Sequence, residues 1–280
     1  MPLFVLLLTL GLAACADPSP TPSHSDDAPA EALVPYRLDT PDAVVELPPE
    51  LREISGLSLA PSGRLAAVQD EDGIVFEVDP ATGSIVDQLA FANAGDYEGV
   101  EIVPGGALWV LRSDGDLWRV GRDSLDQPTS RKIETALRGR NDTEGLAYHA
   151  ATGRLLIACK EDPGPGLDDV RAVYAFDLTT EAVDEIPVVL LDRRQLDTDE
   201  AFKPSAIAIH PQTGELYVLS SVRTAIAVFD AGGTLVAVSD IPSPLAPQPE
   251  GIAFSPDGTL FLSSEGSSGP ARLLRYAPTR

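Results

Sequence analysis

The segment Asp96-Tyr97-Glu98-Gly99-Val100 recurs in altered form four more times along the chain. Each copy reads polar residue, any residue, Glu or Ser, Gly or Ala, aliphatic residue. The other copies are Glu53–Leu57, Asp142–Leu146, Lys203–Ile207 and Gln248–Ile252. The third positions of successive copies are separated by 43, 46, 61 and 45 residues. A period of about 40 to 50 residues is typical of the blades of a β-propeller.

A turn follows each copy, and a run of β-forming residues follows each turn. In Ser255-Pro256-Asp257-Gly258, for example, proline fixes the backbone of the first turn residue and glycine accepts the left-handed exit from a hairpin. Runs such as Ala107–Leu111 are predicted second strands, and Ile74–Val78 and Ala225–Phe229 are predicted third strands. The pattern predicts an all-β protein, a five-bladed β-propeller, over residues 43–280.

The last repeat has no fourth strand of its own after Leu273–Tyr276. We expect Ala43–Leu47 to supply it, so that an N-terminal strand closes the last blade. A six-bladed ring is the less favoured alternative, because the 61-residue step exceeds a 45-residue step by only about 16 residues, fewer than a blade needs. Loop insertions at Asp162–Asp169 and Leu191–Glu200 are predicted to account for the excess.

The N-terminal 14 residues form a short apolar run that ends in small residues, which is typical of an export signal and too short to span a bilayer. Leu12-Ala13-Ala14-Cys15 resembles a bacterial lipobox, although no Lys or Arg precedes the apolar run. In that reading Cys15 is lipidated after cleavage and anchors the protein to a membrane of the cell envelope, on its periplasmic or outer face. Residues 15–42, rich in Pro, Ser and Asp, are a predicted extended tether.

The chain carries 43 acidic and 20 basic residues, a formal net charge of −23. This charge argues against nucleic acid as a partner and favours divalent cations, although it also serves solubility. Once Cys15 is lipidated, Cys159 has no disulfide partner, and its apolar neighbours predict a buried core residue.

The first strand of each propeller blade lines the central channel, and alternation along a strand puts residues two apart on one face. The first and third residues of each copy therefore form two predicted tiers around the axis. The outer tier contains Glu53, Asp96, Asp142, Lys203 and Gln248, and the inner tier contains Ser55, Glu98, Glu144, Ser205 and Glu250. Six carboxylates would converge, and calcium is the predicted cofactor because it prefers oxygen ligands and His and Cys are scarce. The alternative is a water-filled channel that these residues only solvate.

The loops between second and third strands return to the same mouth of the channel as the starts of the first strands. Four basic residues, Arg112, Lys160, Lys203 and Arg223, are predicted to lie near this mouth and could bind an anionic ligand. We find no nucleophile elbow, Walker loop, dinucleotide fingerprint or EF-hand loop, so no catalytic residue is assigned. The mouth is the predicted site for a protein or small-molecule ligand.

Ile-Ser-Gly-Leu at 54–57, Tyr-Glu-Gly-Val-Glu at 97–101, Thr-Glu-Gly-Leu-Ala-Tyr at 143–148 and Pro-Glu-Gly-Ile-Ala at 249–253 resemble the SdiA-regulated family of bacterial proteins. The resemblance covers residues 50–280 and implies an exported or lipid-anchored five-bladed propeller with a calcium site. The fourth copy departs from the family pattern, because Pro204-Ser205-Ala206 replaces Ser-Gly or Glu-Gly.

Two functions remain open at this point. The first is a calcium-binding envelope lipoprotein that acts as a binding or scaffold module. The second is a calcium-dependent phosphoesterase resembling esterase-like phytases or phosphotriesterase-type propellers, in which the ion would polarise a phosphate and activate water.

Overall fold

The computed structural model describes residues 35–198 and 201–279. The predicted export signal at 1–14, the lipidation site Cys15 and the tether as far as residue 34 lie outside the described residues. Within the described part, 21 strands form five antiparallel sheets of four or five strands each.

The strands in chain order are β1 (Ala43–Glu46), β2 (Ile54–Leu59), β3 (Leu65–Gln69), β4 (Ile74–Val78), β5 (Ile85–Ala90), β6 (Tyr97–Ile102), β7 (Leu108–Arg112), β8 (Leu117–Arg122), β9 (Pro128–Ile133), β10 (Thr143–His149), β11 (Arg154–Cys159), β12 (Val170–Asp177), β13 (Ala182–Val183), β14 (Val189–Asp192), β15 (Ala206–Ile209), β16 (Leu216–Ser220), β17 (Ala225–Phe229), β18 (Leu235–Asp240), β19 (Pro249–Phe254), β20 (Leu260–Ser264) and β21 (Arg272–Tyr276). Two 3-10 turns, Pro49–Leu51 and Gly139–Asn141, and one α-helical turn, α1 (Arg193–Leu196), complete the described elements.

The five sheets are the blades of a β-propeller, which confirms the predicted fold. Blade 1 is β2–β5, blade 2 is β6–β9, blade 3 is β10–β14, blade 4 is β15–β18, and blade 5 combines β19–β21 with β1. The innermost strands β2, β6, β10, β15 and β19 contact one another in a closed ring around the axis. The predicted turns after these strands are also confirmed, since Gly63, Gly106, Gly153, Gly214 and Gly258 all have positive φ.

Strand β1 closes the ring, as predicted, by pairing with β21 in antiparallel register from Ala43–Arg275 to Glu46–Arg272. There is no sixth blade in the described chain. The long third repeat instead contains a loop between β11 and β12 and a split outer strand, β13 and β14, on β12. The second predicted insertion, Leu191–Glu200, is not a plain loop, because it includes the end of β14 and α1, whose N-terminus is capped by Asp192.

The hydrophobic core lies between blades rather than inside them. Five clusters of buried side chains fill the five spaces between adjacent blades. Alternation along each strand explains this division, since in β3 Ala66 and Val68 pack toward blade 2 while Leu65 and Ala67 pack toward blade 5. Cys159 is fully buried between blades 2 and 3, and burial raises the pKa of its thiol to about 12. The prediction of a buried core cysteine is confirmed.

Packed residues occur on the N-terminal side of the predicted boundary at residue 43. Tyr36 and Leu38 are buried in the core cluster between blades 4 and 5. The Tyr36 hydroxyl donates to the Gly258 carbonyl at 2.7 Å and lies 3.1 Å from Nε2 of buried His210. The segment at 35–42 is therefore part of the propeller rather than of a tether.

Candidate functional site

Close packing of the innermost strands narrows the channel. A Cβ added to Gly56 would lie 2.9 Å from the backbone nitrogen of Val100 on the next blade, and one added to Gly99 would lie 2.8 Å from Cβ of Leu146. Such distances are below normal contact, so the small fourth residue of each copy lets neighbouring blades approach. The residues immediately before these glycines are thereby brought around the axis.

Four of the five innermost strands contain a β-bulge at the third position of the repeated segment. The pairing register shifts around Ser55, Glu98, Glu144 and Glu250, and each of these residues is the extra one on its strand. A bulge re-aims a side chain relative to the regular alternation. Blade 4 has no bulge here, and its shorter strand β15 begins only after Ser205. The fourth copy, which departs from the family pattern in sequence, therefore also departs in backbone geometry.

The two predicted tiers differ in depth. In the inner tier, Ser55, Glu144, Ser205 and Glu250 are buried and Glu98 is half-buried. In the outer tier, Asp96 is exposed, and Glu53, Asp142, Lys203 and Gln248 are half-buried. The innermost strands therefore place three glutamates, from blades 2, 3 and 5, at the narrower level.

The three inner glutamates influence one another electrostatically. Burial, followed by the charge of Glu144, raises the pKa of Glu98 far above its ordinary value. Burial also raises the pKa values of Glu144 and Glu250, even though Lys160 and several hydroxyl groups oppose the shift. Such shifts arise when carboxylates share a poorly solvated space with too little positive charge.

Lys160 is the one cation in direct contact with the inner glutamates among the described residues. Its Nζ lies 2.6 Å from Oε1 of Glu144, whose side chain is only 5 % exposed. Burial alone would lower the pKa of Lys160, but Glu144 and Glu250 raise it above its ordinary value. The acidic cluster therefore stabilises a positive charge at this point of the channel.

The mouth loops join the outer tier as predicted. In four blades, a backbone N–H near the start of the loop after the second strand donates a hydrogen bond toward the first strand. The acceptor is the carbonyl of the first residue of the repeated segment. These bonds run from Asp70 to Glu53, from Ser113 to Asp96, from Lys160 to Asp142 and from Glu265 to Gln248, at 2.7 to 3.3 Å.

Two acidic residues of these loops belong to the cluster and were not selected from the sequence. Burial, followed by the charges of Glu250 and Glu53, raises the pKa of Glu265 to about 8. Burial, followed by the charge of Glu53, raises the pKa of Asp70 to about 6, and one of its carboxylate oxygens is buried without a hydrogen-bond partner. The sequence indicated their place in the cluster only through their position in the loops at the channel mouth.

The remaining predicted ligand-binding cations have partners of their own. Arg112 pairs with Asp114 and with Asp116 and lies 5.0 Å over the ring of Trp118. Lys203 pairs with Glu161.

Arg223 binds the Leu196 carbonyl and lies 3.3 Å from Asp240, which belongs to the outermost strand of blade 4. Of the four predicted cations, only Lys160 contacts the inner glutamates.

The far end of the channel holds another acid. Glu101 lines a cavity of about 150 Å³ formed by the innermost strands of all five blades. Burial raises the pKa of Glu101 to about 7, although the Ser58 hydroxyl and the Ile102 N–H donate to its Oε1, each at 2.9 Å. Glu101 is the last residue of the Tyr-Glu-Gly-Val-Glu motif at 97–101, and no role was predicted for it.

A family model for SdiA-regulated proteins matches residues 35–271 of the chain. The chain belongs to the SdiA-regulated family. The match includes the packed segment that contains Tyr36 and Leu38.

Solved structures similar to this SdiA-regulated protein are propellers of diverse activity. Glutaminyl cyclase from Myxococcus xanthus is 18 % identical with a TM-score of 0.60, over 85 % of this chain and 95 % of that one. The PQQ-bound aldose sugar dehydrogenase from Streptomyces coelicolor is 14 % identical with a TM-score of 0.51, over 85 % and 99 % of the two chains. A gluconolactonase from Xanthomonas campestris is 16 % identical with a TM-score of 0.51, over 80 % and 72 %. At these identities the similarity shows a shared fold.

Within residues 35–198 and 201–279, no group of three or more His, Cys, Asp or Glu side chains is placed to hold a metal ion. No helix in the same residues is long and apolar enough to cross a membrane.

Proposed function

We propose that this SdiA-regulated protein is an envelope lipoprotein, anchored through Cys15, whose channel mouth binds a hydrated calcium ion. In this proposal the propeller acts as a binding or scaffold module, and the ion orders the mouth where a protein or small-molecule ligand docks. The observation that carries the proposal is the convergence of Glu98, Glu144 and Glu250, whose pKa values are all raised, while the cation Lys160 contacts Glu144 alone.

The donor set fits calcium better than other ions. Carboxylates of Glu98 and Glu250 and the hydroxyls of Ser55 and Ser205 are hard oxygen donors, and calcium accepts six to eight of these in flexible geometry. Because no three acidic side chains of the described residues are placed to hold an ion by themselves, the proposal requires water to complete the coordination. The bound ion would supply the positive charge that the cluster otherwise lacks.

The phosphoesterase alternative is less well supported. It requires free cations at the mouth to meet phosphate oxygens, whereas Arg112, Lys203 and Arg223 are each engaged by carboxylates or a carbonyl, and Lys160 is engaged by Glu144. A panel of phosphate and carboxylate esters, assayed with calcium and with chelator, separates the two functions. We expect no hydrolysis of any ester in either condition. Calcium-dependent hydrolysis would refute the binding-module function and support the phosphoesterase.

The calcium proposal is tested by the thermal midpoint of the purified protein with calcium, with magnesium and with chelator. An ion present at a hundred times its dissociation constant stabilises a protein by about 2.7 kcal/mol, which is roughly 5 to 11 °C for a domain of this size. The Glu98→Gln, Glu144→Gln double variant should lose this shift, and Glu134→Gln, at a side chain 83 % exposed, should retain it. A calcium shift that survives in the double variant contradicts the proposal.

The membrane anchor is tested separately, because Cys15 lies outside the described residues. The lipobox-like Leu12-Ala13-Ala14-Cys15 supports lipidation. Wild-type protein expressed in a Gram-negative host should incorporate labelled fatty acid and partition into detergent, whereas Cys15→Ser should do neither. Equal labelling of both proteins would refute the anchor without affecting the calcium proposal.

A further inference from the structure

A cavity of about 450 Å³ lies between blades 1 and 2, on the face opposite the mouth. Its floor is apolar, because alternation along the strands turns five hydrophobic side chains toward the space between these two blades. They are Ala66, Val75 and Leu89 of blade 1 and Ile102 and Leu108 of blade 2. Ligand sites for small molecules are typically of this size, mainly apolar, with a few polar groups.

Two carboxylates stand together at the rim of this cavity. The β4–β5 register pairs Val75 with Leu89 and, two residues farther along, Glu77 with Asp87. Residues two apart share a face, so both acids point to the same side of blade 1 as the apolar floor. Residues directly opposite each other have Cβ atoms about 4.5 to 5.5 Å apart, and like charges in that arrangement destabilise a sheet. A cation between Glu77 and Asp87 would remove this repulsion.

The arginines beside the rim compensate these acids only in part. Arg122 also lines the cavity, and its Nη2 lies 2.9 Å from Asp87, but the same guanidinium is shared with Asp126 at 3.7 Å. Arg64 lies 3.6 Å from Glu77, which is too long for a hydrogen bond. The described ion pairs of the rim therefore join three carboxylates to two guanidinium groups and leave one negative charge uncompensated.

We propose that this inter-blade cavity binds a primary amine that carries a short alkyl or aryl group. Such an amine is protonated at neutral pH, as a lysine side chain is, and its ammonium has three hydrogen-bond donors. The ammonium contacts Glu77 and Asp87, and the apolar group lies against Val75, Leu89 and Leu108 between the blades. The net charge of −23 also favours the approach of a cation. The site is separate from the channel mouth and does not depend on the proposed calcium site.

The test is isothermal titration of the full protein with hexylamine at pH 7, at low ionic strength and in chelator. Ethylamine carries the charge with little chain, and hexanol carries the chain alone. We expect saturable one-to-one binding of hexylamine. Ethylamine should bind at least tenfold more weakly, because each buried CH₂ group strengthens binding roughly fourfold. Hexanol should bind about tenfold more weakly, because it lacks the charge-assisted contacts.

A charge variant tests whether the acids of the rim hold the amine. Glu77→Gln keeps the shape of a side chain that is 38 % exposed and removes its charge, and it should weaken hexylamine about tenfold. Glu134→Gln, at a side chain 83 % exposed outside the cavity, should leave hexylamine binding unchanged. Hexylamine bound to the glutamates of the channel mouth instead would bind Glu77→Gln as well as the wild type.

A second variant tests the apolar floor. Ala66 is 5 % exposed, and Ala66→Leu would project three further carbons into the cavity. Hexylamine should bind this variant at least tenfold more weakly. Glu77→Gln changes a side chain at the surface and tests the site even if Ala66→Leu fails to fold. Absence of hexylamine binding, unchanged binding by either folded variant, or equal affinity for hexanol and hexylamine would overturn the proposal.

Discussion

Replacing Lys160 by methionine tests whether the inner channel needs a positive charge. Methionine keeps most of the length and apolar surface of the side chain but removes the ammonium 2.6 Å from Glu144. Loss of one partner from a buried ion pair costs about 3 to 5 kcal/mol. Because Lys160 is 25 % exposed, we expect the lower end, about 3 kcal/mol at pH 10, where Glu144 is ionised beside Lys160, or roughly 6 to 12 °C in the thermal midpoint.

The pH dependence distinguishes electrostatics from packing. The pKa of Glu144 is raised in the fold, so its ionised form is the less stable one there, and removal of Lys160 raises that pKa further. At pH 6.5 the Glu144 carboxyl is protonated in both proteins, because its pKa is raised to about 8 even with Lys160 present, and the cost falls to that of a lost hydrogen bond, about 1 kcal/mol. The difference between variant and wild type should therefore be largest at pH 10 and shrink toward pH 6.5.

The assay is thermal unfolding in chelator at pH 6.5 and pH 10, followed by circular dichroism. Lys132→Met is the matched control, because Lys132 pairs with Asp116 at 2.6 Å but its side chain is 39 % exposed. This control should lose at most about 1 kcal/mol at either pH. A cost for Lys160→Met that is equal at both pH values, or below about 1 kcal/mol at pH 10, would refute the reasoning.

Three further predictions follow from the packing and the charges. In chelator, the thermal midpoint of the wild type should rise as the pH falls from 9 to 6.5. Glu265, with a pKa of about 8, and Glu144 bind protons in the folded protein at a higher pH than in the unfolded chain, which stabilises the fold. A midpoint that stays constant or falls over this range would contradict the raised pKa values. Gly99→Ala should destabilise the propeller by about 1 to 3 kcal/mol in denaturant titrations, because its Cβ would lie 2.8 Å from Leu146, whereas Gly139→Ala, with nothing within 4 Å, should cost under about 1 kcal/mol. Tyr36→Phe should cost about 1 to 3 kcal/mol in the same titration, since it leaves a buried carbonyl without its 2.7 Å donor; no change would mean that the segment at 35–42 contributes nothing to stability.

The blade order and the closing strand were predictable because each repeat carries its own turn chemistry and strand pattern. The bulge at Glu98 was not, since a bulge is defined by the register between two strands and one strand alone shows only alternation. The ion-pair partners of the basic residues at the mouth could not be predicted from the sequence either. Arg112 aligns with Cys159 and not with Lys160 in the strand register, and the repeat alone does not show that Lys160 contacts Glu144 while Arg112 contacts Asp114.

The amino-acid composition of residues 35–42 did not predict that this segment packs against the propeller. Tyr36 and Leu38 lie between Pro35 and Pro41, and the proline content of the region indicated a tether. Their spacing of two residues, which places both on one side of an extended chain, was the signal for burial. The same reasoning applies to Glu265 and Asp70, whose raised pKa values depend on burial that the loop sequences do not reveal.

The closing strand β1 also determines when the propeller can finish folding. Leu38 and Tyr276, which share a hydrogen bond, are 238 positions apart in the sequence. Blade 5 therefore joins the first and last parts of the propeller to be synthesised, and its completion requires the closure of a loop that contains nearly the whole domain. Folding dominated by such distant contacts is slow. The ring therefore cannot close until β21 has been synthesised.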